Sequence, residues 1–290
     1  MASSEIIAQI AKNCRRSFAG IMPHNFDFDR MAREFVSEDR AREELELLKK
    51  VLGTDLKEKK LLELGSGYGM VVAAARHLYG IDAYGVEPSE QFCGTLEASR
   101  RLLREIGEPV LVIRKGQAEA IPFDDSSFDV VYSSNVLEHV RDPQKAFSEA
   151  IRVLKPRGFL VFVIPNYGSW WEGHYGIMML PHSPPWLLKI MVRFLGRDPA
   201  FVDTLQFVTF GKLGQWMKPL SERVKILDWG QQIWVERLRS LEFSEWAHLR
   251  SLKRIVKLAS FLRLVGPIIA LGIRLHWETP FVLVAQKNSQ

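Results

Sequence analysis

The chain has little cysteine and no long uncharged apolar run. Its two cysteines, Cys14 and Cys93, lie far apart and without the spacing of metal ligands, so the sequence predicts neither a disulfide framework nor a zinc site and suits a reducing compartment. The first residues lack the basic and apolar stretches of a signal peptide. The longest uncharged apolar stretch, residues 264–273, is shorter than the roughly 20 residues that span a bilayer. We therefore expect a cytoplasmic protein.

Strong net charge and internal repeats are absent as well. The formal net charge is +5, which is weak for a protein that binds a polyanion such as nucleic acid. An apolar fraction of 47% and a charged fraction of 25% are typical of a folded globular protein. A chain of 290 residues can bury a core and form one large domain or two small ones.

The clearest motif is a short apolar strand that runs into three closely spaced glycines. Residues 60–64 predict a buried strand, and Gly65, Gly67 and Gly69 allow the tight turn and close ligand approach that a Cβ atom would block. Residues 70–79 then predict a helix whose first N–H groups point at the turn. Strand, glycine turn and helix are typical of the nucleotide-binding corner of a doubly wound sheet.

The rest of the chain alternates strands and helices up to about residue 165. The predicted strands are 60–64, 82–87, 110–113, 128–133, 159–164, 224–229 and 281–285, and the predicted helices include 29–52, ending at Gly53, one from Ser89 to about residue 104, and 143–153. Strands that are apolar on both faces and separated by helices indicate a mostly parallel sheet covered on both sides. We therefore predict an α/β fold with a doubly wound, seven-stranded sheet.

The predicted organisation has two parts. Residues 1–56 form a helical segment on the substrate side, and residues 57–290 form the sheet domain. Two stretches interrupt the regular pattern of that domain: residues 166–220, which are rich in Trp, Pro and Gly, and the mostly helical residues 231–276. We expect these interruptions to build an acceptor site or a cap that faces a membrane.

The glycine spacing and one acid indicate which nucleotide binds. Dinucleotide-binding folds use Gly-x-Gly-x-x-Gly, whereas the last glycine here comes one residue earlier. Glu87 ends the second predicted strand, where a carboxylate can accept hydrogen bonds from both hydroxyls of a ribose. A carboxylate there is unsuited to a 2′-phosphate.

Four segments together resemble the class I S-adenosylmethionine-dependent methyltransferases, in the branch called type 11. They are residues 62–69, 85–89, 117–129 with 136–139, and 152–158, and they occur in the order of that family. The resemblance covers roughly residues 58–166. It implies a Rossmann-like methyltransferase fold and S-adenosyl-L-methionine as the cofactor.

The resemblance also implies a set of cofactor-binding residues. By position, the methionine amine and the ribose side would contact Glu63, Gly65, Ser66, Gly67 and Gly69, the ribose hydroxyls Glu87, the adenine Gln117 and Ala118, and the methionine arm Ser134 and Asn135. The family usually has Asp where this chain has Gln117, whose side-chain oxygen can still accept a hydrogen bond from the adenine amino group.

For the methyl acceptor we expect an oxygen atom and a histidine general base, because an imidazole titrates near neutral pH. His139 is the first choice, since it follows the fourth strand; His174 and then His182, in the first insertion, come next. His139 can equally be a core or surface histidine without a catalytic part. Glu172, His174 and His182 lack tight metal-ligand spacing, so no metal is predicted.

The acceptor itself is expected to be a small molecule or a lipid-linked compound, such as a quinone precursor or a sugar. The insertion carries apolar side chains suited to such a wall, namely Trp170, Trp171, Tyr175, Met178, Met179 and Trp186. The alternative is that they only pack the insertion onto the sheet. A nucleic-acid target is disfavoured, because residues 133–136 do not have the Asn/Asp-Pro-Pro-aromatic motif of related base methyltransferases.

A basic stretch near the C-terminus raises a second hypothesis. Residues 250–276 contain six Lys and Arg residues and no acid, and their apolar residues recur at helical spacing. This composition is typical of a helix that lies on an anionic membrane surface, although a solvated helix covering the sheet edge has it too. The alternative function is therefore a catalytically inactive, cofactor-binding interaction module recruited to membranes.

Overall fold

A computed structural model of the chain describes residues 2–88, 94–240 and 264–289. Its helices are α1 (Ser4–Phe18), α2 (Phe28–Phe35), α3 (Glu38–Leu52), α4 (Met70–Tyr79), α5 (Thr95–Glu105), α6 (Pro143–Val153), α7 (Pro185–Phe194), α8 (Phe210–Met217), α9 (Gln231–Ser240) and α10 (Val265–Arg274). Its strands are β1 (Lys60–Leu64), β2 (Asp82–Glu87), β3 (Ile113–Lys115), β4 (Phe128–Ser134), β5 (Leu154–Ile164), β6 (Trp171–Glu172), β7 (Ile177–Met178), β8 (Val224–Asp228) and β9 (Phe281–Lys287). The expected helix cap Ser89 and residues 250–263 of the basic stretch lie outside the described residues.

The central sheet has seven strands in the order β3-β2-β1-β4-β5-β9-β8. The first five are mutually parallel, and β9 is antiparallel to both β5 and β8. The predicted doubly wound, mostly parallel seven-stranded sheet is thus confirmed. The strand order reverses between β1 and β4, and ligands of such sheets bind in the crevice beyond the carboxyl ends of the strands at that point.

Both faces of the sheet are covered by helices, which explains its continuous apolar strands. In β1, Leu61 packs into the core on the face that holds α1, α3, α4 and α5. Leu62 and Leu64 pack into the core on the opposite face, which holds α6 and α8. Each of these leucines is at most 1% exposed, and burying such a side chain contributes about 1.5–3 kcal/mol. The glycine turn is therefore attached to a rigid central strand.

The N-terminal segment is more broken than the sequence predicts. The single helix expected over residues 29–52 is wrong, because α2 ends at Phe35 and Ser37 caps α3 by accepting a hydrogen bond from the Arg40 N–H at 3.3 Å. Gly53 ends α3 in a left-handed conformation, as predicted. The additional helix α1 packs beside α2 and α5 through a buried apolar face.

Three other boundaries differ from the prediction. Residues Val110–Val112 form a 3₁₀ turn rather than the third strand, which begins at Ile113. The helix expected from Ser89 has Gly94 as its N-cap. Strand β5 begins at Leu154 instead of residue 159, because its first residue pairs with Phe128 before the register shifts. The carboxyl end of β3 thus moves from residue 113 to Lys115, while β5 still ends at Ile164.

The first insertion folds into short elements around a small apolar core. A two-stranded hairpin of β6 and β7 is followed by the short helices α7 and α8. Tyr175, Met179 and Leu188 are buried together with Ile21 of the N-terminal segment. The peptide N–H of Asp198 also donates to the carbonyl oxygen of Gly20 at 2.7 Å. The insertion and the chain after α1 thus share one core.

Among residues 2–88, 94–240 and 264–289, the helices are each too short or too polar to span a bilayer.

Candidate active site

The glycine turn connects β1 to α4 at the carboxyl edge of the sheet. Gly65, Gly67 and Gly69 have φ angles of 68°, 53° and 77°, a region that other residues rarely adopt. A Cβ atom on Gly65 would lie 2.3 Å from Val136 Cγ2, and one on Gly69 would lie 2.5 Å from Ile113 Cδ1. A Cβ atom on Gly67 would meet no atom within 4 Å. Gly65 and Gly69 therefore close the turn against the protein, while Gly67 borders open space.

Two polar side chains beside this turn have unsatisfied hydrogen-bonding capacity. Glu63 Oε2 and Ser66 Oγ are buried without a hydrogen-bond partner among the described residues. Burial, with the nearby charges of Glu44 and Glu87, raises the pKa of Glu63 well above its ordinary value. An ammonium group in the adjoining cavity would supply the missing donor and counter-charge. These unsatisfied oxygens thus fit the methionine end of the cofactor that the sequence predicts.

Glu87 lies at the end of β2 and is only 3% exposed. Its Oε2 accepts the Gly67 N–H at 2.8 Å, and its Oε1 accepts the hydroxyl of Thr95 at 2.8 Å. The carboxylate predicted to bind a ribose therefore also ties the glycine turn to the start of α5. It stands next to Gly67, where the turn borders open space.

Two cavities lie on either side of Gly65. The first has a volume of about 200 Å³ and contains Gln117 and Ala118, the two residues predicted to contact adenine. The second has a volume of about 240 Å³ and contains Glu63, Ser134 and Asn135, which were predicted for the methionine side. Eight of the ten predicted cofactor residues thus line two adjoining cavities at the strand-order reversal, whereas Gly69 and Glu87 line neither.

The N-terminal segment forms one wall of the second cavity. Phe18, Phe35, Arg40 and Glu44 line it. Glu44 accepts a hydrogen bond from the Tyr132 hydroxyl at 2.7 Å and lies 3.8 Å from the Arg40 guanidinium. Residues 1–56 therefore reach the cavity, where the sequence led us to expect a lid on the substrate side.

The two histidines favoured as bases lie against each other. His139 follows β4 and lines the first cavity, whereas His174 lies in the turn between β6 and β7 of the insertion. Their Nε2 atoms are 3.1 Å apart, and their rings meet edge to face. The fold thus joins two residues that are 35 positions apart in the sequence.

Glu172 holds the ring of His174 in place. Its Oε1 lies 2.8 Å from His174 Nδ1 and also accepts the His174 backbone N–H at 3.1 Å. Its Oε2 accepts the Tyr175 backbone N–H at 2.6 Å. Because a carboxylate accepts the Nδ1 proton, His174 Nε2 is the atom left to exchange a proton or bind a ligand.

The environment shifts the pKa values of the two histidines in opposite directions. Burial, with the neighbouring His174, lowers the pKa of His139 to about 3. Burial opposes protonation of His174 as well, but its hydrogen bond to Glu172 and the charges of Glu172 and Glu138 raise its pKa. A proton at this pair is therefore held on His174.

Sequence reasoning missed Glu138. This side chain is fully buried, and neither of its carboxylate oxygens has a hydrogen-bond partner among the described residues. Its Oε1 lies 3.8 Å from His139 Nε2 and 3.9 Å from His174 Nε2. Burial raises the pKa of Glu138 to about 7. The available signal was an acid directly beside a candidate histidine in an otherwise apolar Val-Leu-Glu-His-Val run.

Of the other side chains predicted for the acceptor site, some are buried in the core of the insertion and others are exposed. Tyr175 and Met179 are buried in the core of the insertion, which is the packing alternative. Trp170, Met178 and Trp186 are 41%, 46% and 62% exposed, so they form no closed apolar wall. His182 is exposed in a separate turn, where its backbone N–H donates to the Tyr167 carbonyl.

Comparison with known proteins agrees with this architecture. Residues 62–162 match the family described as a methyltransferase domain. The glycine/sarcosine/dimethylglycine N-methyltransferase of Actinopolyspora halophila is 35% identical over 112 residues, which are 37% of this chain and 19% of that protein. The sarcosine/dimethylglycine N-methyltransferase of Halorhodospira halochloris is 31% identical over 175 residues, which are 60% of this chain and 58% of that protein. The match thus spans less than two thirds of either relative.

A solved structure shares the fold at low sequence identity. Phosphoethanolamine N-methyltransferase 2 of Haemonchus contortus, in complex with phosphomonomethylethanolamine and S-adenosylhomocysteine, superposes with a TM-score of 0.51 and 17% identity over 97% of this chain and 61% of that one. The likeness extends beyond the family match at residues 62–162. With the glycine turn, the sheet order and the family match in agreement, residues 62–162 form a class I S-adenosylmethionine-dependent methyltransferase domain of type 11.

Proposed function

We propose that this protein transfers the methyl group of S-adenosylmethionine to a hydroxyl oxygen of a small-molecule or lipid-linked acceptor. The observation that carries the proposal is the contact between His139 and His174, whose Nε2 atoms lie 3.1 Å apart beside a cofactor cavity. Hydroxyl acceptors lose a proton during transfer, and an oriented imidazole pair provides a place for it.

The cofactor is held by the groups around the glycine turn. Glu63 accepts the methionine ammonium, Glu87 binds the ribose, and Gly67 leaves room for the ligand. Gln117 and Ala118 contact the adenine in the first cavity, while Ser134 and Asn135 bind along the methionine arm. Binding in these cavities would align sulfur, methyl carbon and acceptor oxygen, and such alignment contributes about 7–11 kcal/mol to catalysis.

The chemical step is an in-line displacement. A lone pair of the acceptor oxygen forms the new bond to the methyl carbon while the carbon–sulfur bond breaks and its electron pair stays on sulfur. The hydroxyl proton passes to the histidine pair, where Glu172 holds His174 with its Nε2 atom toward His139. The carboxylates of Glu138 and Glu172 stabilise the resulting positive charge on His174.

The test is methyl transfer to a panel of sugar, phenol, quinol and lipid-linked hydroxyl compounds. We expect His174→Asn and His139→Asn to lower kcat by about 10²–10⁴, the usual contribution of a general base, with little change in cofactor affinity. His182→Asn is the matched control, because His182 is exposed in a separate turn. Full activity of His174→Asn would refute the base, and cofactor binding without turnover on any acceptor would support the inactive-module alternative.

A small amine is the second candidate acceptor. Three carboxylates, Glu34, Glu44 and Glu63, line the second cavity together with the aromatic rings of Phe18 and Phe35. Carboxylates and aromatic faces both attract a cationic amine, and two relatives are named for glycine, sarcosine or dimethylglycine. Transfer to such amines, unaffected by His174→Asn and lowered by Glu44→Gln, would favour N-methylation over our proposal.

A further inference from the structure

Three side-chain atoms converge where the insertion meets the turn after β4. His139 Nε2 and His174 Nε2 are 3.1 Å apart, and Glu138 Oε1 lies 3.8 Å from the first and 3.9 Å from the second. A triangle with sides of 3.1, 3.8 and 3.9 Å has a circumscribed radius of about 2.1 Å, which equals a zinc–ligand distance. One ion in the plane of the three atoms can therefore lie about 2.1 Å from each of them.

The ligand types suit a first-row transition metal. Two imidazole nitrogens and one carboxylate oxygen form a common catalytic zinc set, in which a fourth position stays open. Glu172 Oε1 lies 2.8 Å from His174 Nδ1, and metal-binding histidines characteristically donate their other ring N–H to such a carboxylate. Glu172 is itself fixed by two backbone N–H groups, from His174 and Tyr175. The supporting contacts of a metal site are thus present.

A buried acid without a hydrogen-bond donor is the independent observation that points to a cation. Hydrogen bonding within the histidine pair can satisfy both Nε2 atoms, but it leaves both oxygens of the fully buried Glu138 without a donor among the described residues. A buried carboxylate without such partners is strongly unfavourable. A bound divalent ion would compensate its charge directly.

We propose that Glu138, His139 and His174 bind a single Zn²⁺ ion. Two ligands come from the turn after β4 and one from the β6–β7 hairpin, so the ion joins the insertion to the methyltransferase core. With the ion bound, both Nε2 atoms would be ligands and could not take the acceptor's proton. A hydroxyl oxygen at the open position would instead release its proton to solvent more readily, because the metal stabilises the anion. That catalytic consequence rests on the proposed hydroxyl acceptor, whereas metal binding does not.

Binding is tested on the full chain after metal removal by chelation. Equilibrium dialysis against Zn²⁺ with elemental analysis is expected to give one ion per chain, and Co²⁺ is expected to give the visible bands of a four-coordinate site. His174→Ala and Glu138→Gln should abolish both, and Glu172→Gln should weaken Zn²⁺ binding about 10- to 100-fold. His77→Ala, a change at an exposed histidine of α4, should leave binding unchanged.

Folding and turnover are measured on the same samples. Zn²⁺ should raise the melting temperature of the wild type but not that of His174→Ala. Circular dichroism identifies a variant that has merely unfolded. If His174→Ala does not fold, Glu172→Gln, which keeps all three ligands, replaces it as the test variant. Absence of a stoichiometric ion in the wild type, or unchanged binding in both His174→Ala and Glu172→Gln, overturns the inference. Hydroxyl methylation that persists in chelator leaves the proposed function standing while removing the metal from it.

Discussion

Replacing Glu63 with Gln should raise the stability of the protein and weaken its binding of the cofactor. The change removes the negative charge of a buried carboxylate and keeps nearly the same shape. Burial, with the charges of Glu44 and Glu87, raises the pKa of Glu63 well above 4.5, so its ionised form destabilises the fold. Stability linked to this proton is full below pH 4.5 and is lost as the pH rises through the raised folded-state pKa. We therefore expect Glu63→Gln to melt at a higher temperature at neutral pH, by a margin that shrinks as the pH falls.

The same substitution should lower the affinity for the cofactor. A hydrogen bond to a charged partner contributes about 1.5–3 kcal/mol, which corresponds to a roughly 10- to 150-fold increase in Kd for S-adenosylmethionine. Titration calorimetry measures Kd, and scanning fluorimetry without added ligand measures the melting temperature. Glu34→Gln is the matched control, because Glu34 lines the same cavity but its carboxylate is paired with Arg30 at 2.8 Å. A Glu63→Gln protein that binds the cofactor as tightly as the wild type would refute the assignment of Oε2 to the ammonium.

Three further predictions concern the frame of the site. Gly69→Ala should lower the unfolding free energy by more than the about 1–2 kcal/mol that a left-handed alanine costs, because its Cβ atom would overlap Ile113. Gly107 has the same left-handed backbone but open space around it, so Gly107→Ala should cost only that amount. Chemical denaturation measures both free energies, and equal values would contradict the packing argument. Ser37→Ala should lower the unfolding free energy by about 1 kcal/mol, because it removes the N-cap of α3. Ser221→Ala is the control, since Ser221 is exposed and caps no α-helix N-terminus. Thr95→Val should weaken S-adenosylmethionine binding several-fold by releasing Glu87 Oε1; calorimetry with unchanged affinity would show that this bond does not position the carboxylate.

The central sheet could be predicted from sequence because its signals are local. Of the parallel strands, β1, β4 and β5 each contain an apolar run bounded by turn residues. Gly65, Gly67 and Gly69 identify one turn almost on their own. The third strand was misplaced because Val110–Val112 are apolar and include two β-branched valines, whereas the pairing with β2 begins only at Ile113. Tertiary pairing, which a propensity does not contain, decided that boundary.

The histidine site could be predicted only in part, since it depends on long-range contacts. His139 and His174 were chosen for their chemical type, but their contact needs the β6–β7 hairpin to fold over the turn after β4. Glu138 was missed because a charged residue next to a histidine is usually solvated. Its complete burial follows from the insertion above it. Likewise, Tyr175 looked like an acceptor contact and proved to be a core residue.

The small core shared by the insertion and the chain after α1 has a thermodynamic consequence. Ile21 packs with Tyr175 and Leu188, and Gly20 bonds to Asp198 across the same junction. Phe18, just before it, lines the second cavity, while His174 lies just before Tyr175. Residues in contact have non-additive effects on stability. Substitutions at Ile21 and Leu188 should therefore show a coupling free energy. A ligand that orders Phe18 beside the second cavity would also lower the entropy cost of ordering His174.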